Sequence, residues 1–151
     1  MMRRVIRTSA TLVALVVAAL LLAVGCSTAG PASEPPAAST RIDVTLTDAL
    51  RIEPSPMTVP AGVPVTFVIR NAGAIDHEFF LGDEAAQAAH EQEMASMGGM
   101  MHDEPNGVGL HPGETKQLTF TFAAPGSSLA GCHIPGHYPA GMKATITLTE
   151  R

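Results

Sequence analysis

A thiol, an imidazole and a thioether follow one another at five-residue steps between Gly131 and Met142, as Cys132, His137 and Met142. Pro135, Gly136, Pro139 and Gly141 lie between them and stiffen or turn the chain. A soft thiolate, a nitrogen donor and a weak thioether suit copper that cycles between Cu(I) and Cu(II). The full set for such chemistry is two imidazoles, one thiolate and a long axial thioether, so this loop is one imidazole short. His77, within Asn71–Phe80, is the best source of it. Zinc is the competing metal, but zinc sites are built from Cys, His and carboxylate, and a Met in fourth place argues for copper. The plainer alternative is a buried Cys and Met with two surface histidines, since free Cys often behaves as a small hydrophobe. Four suitable donors in this placement weigh against it. His133 adjoins Cys132 and is expected to point away from any metal, because neighbours in an extended chain face opposite ways. His111 falls in a Pro-Gly turn and reads as a surface residue.

A second group of donors lies between residues 90 and 102: His90, Met94, Met97, Met100, Met101 and His102. Soft thioethers suit Cu(I), and His90, Met94 and Met97 would share one helix face at spacings of four and three. Two readings stay open. The methionines are adaptable packing or a flexible tail, or the group forms an additional Cu(I) site; the former is favoured.

These donors need elements to position them. Apolar and polar residues alternate over Ile42–Leu46, Val63–Ile69, Leu118–Phe122 and Ala144–Leu148, the period of half-buried strands. Pro54-Ser55-Pro56, Pro60-Ala61-Gly62, His111-Pro112-Gly113 and Ala124-Pro125-Gly126 punctuate them as turns. The pattern predicts an all-β antiparallel sandwich. Residues 83–106 break it. Asp83–Met101 is rich in Ala, Gln, Glu and Met, which predicts a short helix capped by Asp83 and stopped by Gly98-Gly99.

Cys-x4-His-x4-Met, with a distant Asn-x-Gly and His-Glu-Phe, resembles the cupredoxin family. The His-Glu-Phe-Phe, Asp-Glu-Pro-Asn, Pro-Gly-Glu-Thr and Cys-x-x-Pro-Gly-His-Tyr segments are similar to those of small bacterial plastocyanin- and azurin-like proteins. Some of these are secreted copper-tolerance proteins with a Met/His-rich insertion. The resemblance covers residues 41–151 and implies a Greek-key β-sandwich rather than an immunoglobulin-like one. It implies that two strand-end loops meet at one pole. His77 comes from one loop, Cys132 ends a strand, and the next strand starts at Lys143. In the implied type 1 copper site Cys132 is the dominant thiolate ligand. His77 and His137 are neutral imidazoles in the trigonal plane, and Met142 is the weak axial donor. The Glu78 backbone N–H is expected to donate to the Cys132 sulfur and tune the potential. The edge of His137 is expected at the surface, amid Ile134, Pro135, Tyr138 and Pro139, as the electron port. Ala130 departs from the many relatives with an aromatic residue there; this removes no ligand.

Residues 1–25 read as a targeting segment. Arg3, Arg4 and Arg7 precede the apolar run Ala10–Val24, which is short for a bilayer span. The segment Leu22-Ala23-Val24-Gly25-Cys26 resembles a bacterial lipobox, implying lipid on Cys26 and an anchor outside the cytoplasmic membrane. Cys26 lipidated and Cys132 on metal leave no disulfide from the two cysteines. Residues 26–40, rich in Pro, Ser and Ala, form a linker, and 41–151 suffice for one domain. Three of the nine basic residues and none of the fourteen acids fall in 1–25, so the remainder carries six against fourteen, a formal charge of −8. That argues against a nucleic-acid partner, which needs a basic footprint, and is compatible with a basic redox partner or a copper donor or acceptor. Nothing demands more than a monomer. No acid–base dyad, nucleophile–base pair or phosphate-binding glycine loop argues for an enzyme.

Overall fold

The computed structural model describes residues 40–151. The targeting segment, Cys26 and nearly all of the linker lie outside the described residues. Among the described residues, nine strands and one helix follow in chain order: β1 (Thr40–Thr47), β2 (Arg51–Glu53), β3 (Met57–Pro60), β4 (Pro64–Asn71), β5 (His77–Gly82), α1 (Glu84–Ser96), β6 (Gly107–Leu110), β7 (Thr115–Thr121), β8 (Gly126–Gly131) and β9 (Lys143–Thr149). They form a four-stranded sheet, β2-β1-β4-β7, and a five-stranded sheet, β3-β9-β8-β5-β6.

The sandwich is mixed, which corrects the antiparallel expectation. β1 pairs with β4 in parallel, Thr40 opposite Val65 through Leu46 opposite Asn71, and β3 pairs with β9 in parallel. Alternation reports that one face of a strand is buried, and it is blind to the direction of its neighbour.

The inward faces meet in one core. Val44 and Leu46 of β1, Phe67 and Ile69 of β4, Phe79 and Leu81 of β5, and Ile146 of β9 are buried in a single cluster. Phe67 bridges the layers, with its ring centroid 5.4 Å from that of Phe79 and 6.4 Å from that of Phe122. Each such side chain contributes about 1.5–3 kcal/mol of burial free energy, which sets the frame rigidly under the loops at one pole.

α1 forms where expected. Asp83 caps it, its Oδ1 accepting from Ala86 N–H at 2.8 Å. Beyond Ser96 the chain turns through Gly98 and Gly99, both at positive φ, and Gly99 N–H returns to the Met94 carbonyl at 2.8 Å. Gln87, His90 and Met94 form its buried face. Gln87 is the seam: its Nε2 lies 3.2 Å from both the Phe80 and Leu129 carbonyls. Because α1 covers the outer side of β5, residues His77–Leu81 are all buried.

Candidate metal centre

Cys132 directly follows β8, and Lys143 opens β9, so both ends of the intervening loop are fixed to paired strands. The loop is closed by its own backbone. His137 N–H donates to the Ile134 carbonyl at 2.9 Å, and Met142 N–H to the His137 carbonyl at 3.0 Å. Cys132 N–H donates to the Met142 carbonyl at 3.2 Å. Gly136 and Gly141 take positive φ in this loop, the conformation that a side chain would strain.

His77 enters from the other side, at the start of β5. Asn71 holds the loop before it. The buried Asn71 amide donates to the Ile75 and Leu110 carbonyls at 2.7 and 3.1 Å, and its Oδ1 accepts from Gly73 N–H at 2.9 Å. His77 Nε2 lies 3.2 Å from Asp48 Oδ1, while its Nδ1 is buried with no partner.

His77, Cys132 and His137 converge: one ligand atom of each lies within 4.8 Å of the others. Cys132 Sγ is 3.3 Å from His137 Nδ1, and the two imidazole centroids are 5.2 Å apart. Met142 is buried in the same cluster as Cys132. The Glu78 N–H donates to Cys132 Sγ at 3.2 Å. Burial pushes the Cys132 thiol up to about 12. Burial, then the neighbouring His77, hold His137 below the ordinary imidazole value, so that its ring is neutral and free to donate a lone pair. A buried ring nitrogen without a partner, a facing thiol and a second neutral imidazole fit a soft-to-borderline metal ion.

Nothing in the sequence singles out Asp48. It sits in the turn after β1, and its Oδ2 accepts from Ala74 N–H at 2.8 Å. That contact, foremost, lowers its carboxyl pKa. Carboxylate, imidazole and an open Nδ1 make the arrangement that fixes a ligand's tautomer.

Glu78 does more than offer its backbone. Its carboxylate is buried, with Oε1 2.9 Å from His90 Nε2 and Oε2 accepting from His133 N–H at 3.0 Å. His133 does point away from the three converging donors. It is fully built into the α1 interface, with Nε2 2.7 Å from Gln87 Oε1 and Nδ1 2.5 Å from Glu91 Oε2. Its ring stacks on Tyr138 at 4.4 Å. Phe80 stacks on His90 at 3.9 Å and meets His133 edge-on at 5.9 Å. His111 is exposed and pairs with Asp76.

The members of the second donor group differ in exposure, although Met100, Met101 and His102 line one surface pocket. Met94 is wholly buried in the α1 interface and Met100 is 70% exposed. Met101 lies over Gly109, where an added Cβ would come within 2.8 Å of it. What gathers near His90 is His102, at 5.9 Å between ring centroids, with the carboxylates of Glu93 and Glu104.

Residues 38–149 match the model of the copper binding proteins of the plastocyanin/azurin family. The chain belongs to this family. It binds copper, and its fold is that of a cupredoxin. It is 38% identical over 107 residues to the copper-resistant cuproprotein CopI of Rubrivivax gelatinosus, a match covering 71% of this chain and 65% of that protein. The CopI of Pseudomonas aeruginosa is 36% identical over 140 residues, covering 74% of this chain and 77% of that one. The chain thus spans just under two thirds of the Rubrivivax protein. The crystal structure of dithionite-reduced auracyanin from the photosynthetic bacterium Roseiflexus castenholzii is similar at a TM-score of 0.66 and 29% identity, covering 75% of this chain and 99% of that one.

Proposed function

We propose that His77, Cys132 and His137 hold one copper as a type 1 centre, with Met142 as weak axial donor, and that the protein is a one-electron carrier. The observation that carries this is the pre-assembled trio with His77 Nδ1 buried and unpartnered. Copper bound there supplies a Cu(I)/Cu(II) couple. The chain's part is to keep the donors in place: the β8–β9 clamp fixes Cys132 and Met142, and Asp48 orients His77. The Glu78 N–H donates to the sulfur and so stabilises its thiolate character. Four protein donors leave no position for a substrate, which supports a carrier over an enzyme. His137 is half-buried amid exposed Pro135 and Pro139 and half-buried Ile134 and Tyr138, which supports electron exchange with a redox partner through its edge. The lipobox resemblance at Cys26 supports a membrane-tethered, extracytoplasmic location.

A second reading, copper binding for copper tolerance, is favoured by the CopI relatives, which are named copper-resistant cuproproteins. Visible spectroscopy of the oxidised, copper-loaded chain tests the type 1 site. An intense thiolate-to-Cu(II) band is expected, lost in Cys132→Ser and kept in Met142→Leu with a raised potential. A colourless Cu(II)-loaded protein would refute it. A deletion strain that loses respiratory flux but tolerates excess copper would favour the carrier; the reverse would favour tolerance.

A further inference from the structure

We propose that His90, Glu93 and Glu104 form a second metal site that takes Cu(II), distinct from the thioether-based Cu(I) group that the methionines suggest. It rests on the copper-handling reading above, and goes beyond it in donor set and oxidation state.

His90 carries the argument. Its side chain is 2% exposed, and its Nδ1 is buried without a hydrogen-bond partner. The other ring nitrogen, Nε2, is fixed 2.9 Å from the Glu78 carboxylate. With Nε2–H donating to that carboxylate, Nδ1 carries the lone pair. A buried ring nitrogen left unpaired is costly, and a bound ion removes that cost.

The lone pair faces oxygens. Glu104 Oε1 is 3.5 Å from Nδ1 and Glu93 Oε2 is 3.7 Å from it. Donors around one ion at bonds of about 2.0–2.2 Å stand about 3–3.5 Å apart, so these atoms need close only slightly. His102 Nε2 is 2.6 Å from the same Glu104 oxygen and offers a fourth donor. Glu93 and Glu104 side chains are 53% and 24% exposed, so an ion can enter from solvent and leave again.

The donor types choose the ion. With no thiolate or thioether the set does not select Cu(I), and among divalent ions Cu(II) holds imidazole and carboxylate most strongly. The thioethers are not needed: Met94 is wholly buried and Met100 faces solvent. The site also touches the first centre, because Glu78 joins His90 through its carboxylate and Cys132 through its N–H.

The test is a Cu(II) titration of the chain whose first site is already loaded, followed by electron paramagnetic resonance and copper content. A second, tetragonal signal is expected, taking the content from about one to about two coppers per chain. Glu93→Gln with Glu104→Gln should return it to about one while the thiolate band stays. These side chains are partly exposed, so loss of fold does not confound the result. A wild type that takes no second copper overturns the proposal. So does a second copper that survives the double Gln variant, or one lost instead when Met97, Met100 and Met101 become Leu. The tetragonal signal is read independently of the thiolate band, so a missing band would overturn the type 1 reading alone.

Discussion

His77 is gripped at one ring nitrogen and bare at the other, and the grip is the more testable half. Asp48→Asn keeps the shape but offers one carbonyl oxygen where the carboxylate now serves both His77 Nε2 and Ala74 N–H. Copper affinity should fall about 10–100-fold, measured by chelator competition, with the thiolate band retained. Cys132 supplies a second prediction. A folded-state value of about 12, against an ordinary 9.0, means that the metal-free fold holds its thiol proton longer than the unfolded chain does. The associated stability is therefore complete below about pH 9 and lost as pH rises toward about 12. Denaturant midpoints of metal-free protein should fall over that window, and fall less in Cys132→Ala, where only the raised Tyr138 phenol still contributes. Near neutral pH, copper loading should release about one proton from this thiol. Cys132, His137 and Met142 could be read as a set because they share one loop, and His77 through the His-Glu-Phe segment that follows. Asp48 could not: it lies 29 residues from His77 in a turn where an Asp ordinarily serves its own backbone. Glu93 and Glu104 were hidden for a similar reason, since carboxylates on an insertion are usually just solvated.

At the scale of elements, α1 packs on β5 and β8 and reaches the Cys132–Met142 loop through Glu91 and His133. Gly99 ends it at φ +79°, and a Cβ there would lie 2.5 Å from Pro135 Cδ, inside the Cys132–Met142 loop. Gly99→Ala should therefore cost about 1–2 kcal/mol for the left-handed backbone alone. It should also shift the thiolate band, because Pro135 must yield. A control at Gly98, also at positive φ but with open space around it, should lose stability and leave the band alone. Met94→Ala, from a wholly buried position, should cost about 2–5 kcal/mol in chemical denaturation; Met100→Ala should cost nothing measurable. The helix was legible from its Asp cap, its composition and its glycine stop. β1, β4, β7 and β9 were legible because one face of each is wet. β5 and β6 were not: β5 is buried beneath α1 on one side and the core on the other, and both strands are buried at almost every position, so neither alternates. β8, Gly126–Gly131, carries too few β-branched or aromatic residues to stand out.

For the whole molecule the governing quantity is charge. Six basic residues against fourteen acids beyond residue 25 leave the surface strongly negative at neutral pH. A cationic small redox reagent should oxidise or reduce the copper-loaded chain faster than an anionic one of like potential. The difference should shrink as ionic strength rises, since the screening length falls to about 8 Å at 0.15 M salt. Stopped-flow rates at low and high salt check this; equal rates for both reagents at low salt would show that the net field does not reach the port.

Phe80 leaves one more consequence. Its ring lies flat on His90 and edge-on to His133, under a helix that Gln87 sews to the sheet. A half-turn of a ring so enclosed sweeps volume that its neighbours occupy, and close-packed interiors yield such volume only by moving together. The ring is thus a clock for the breathing of α1. Its two edges should give separate NMR lines that merge only when the helix lifts, and an ion held by His90, Glu93 and Glu104 should slow that clock.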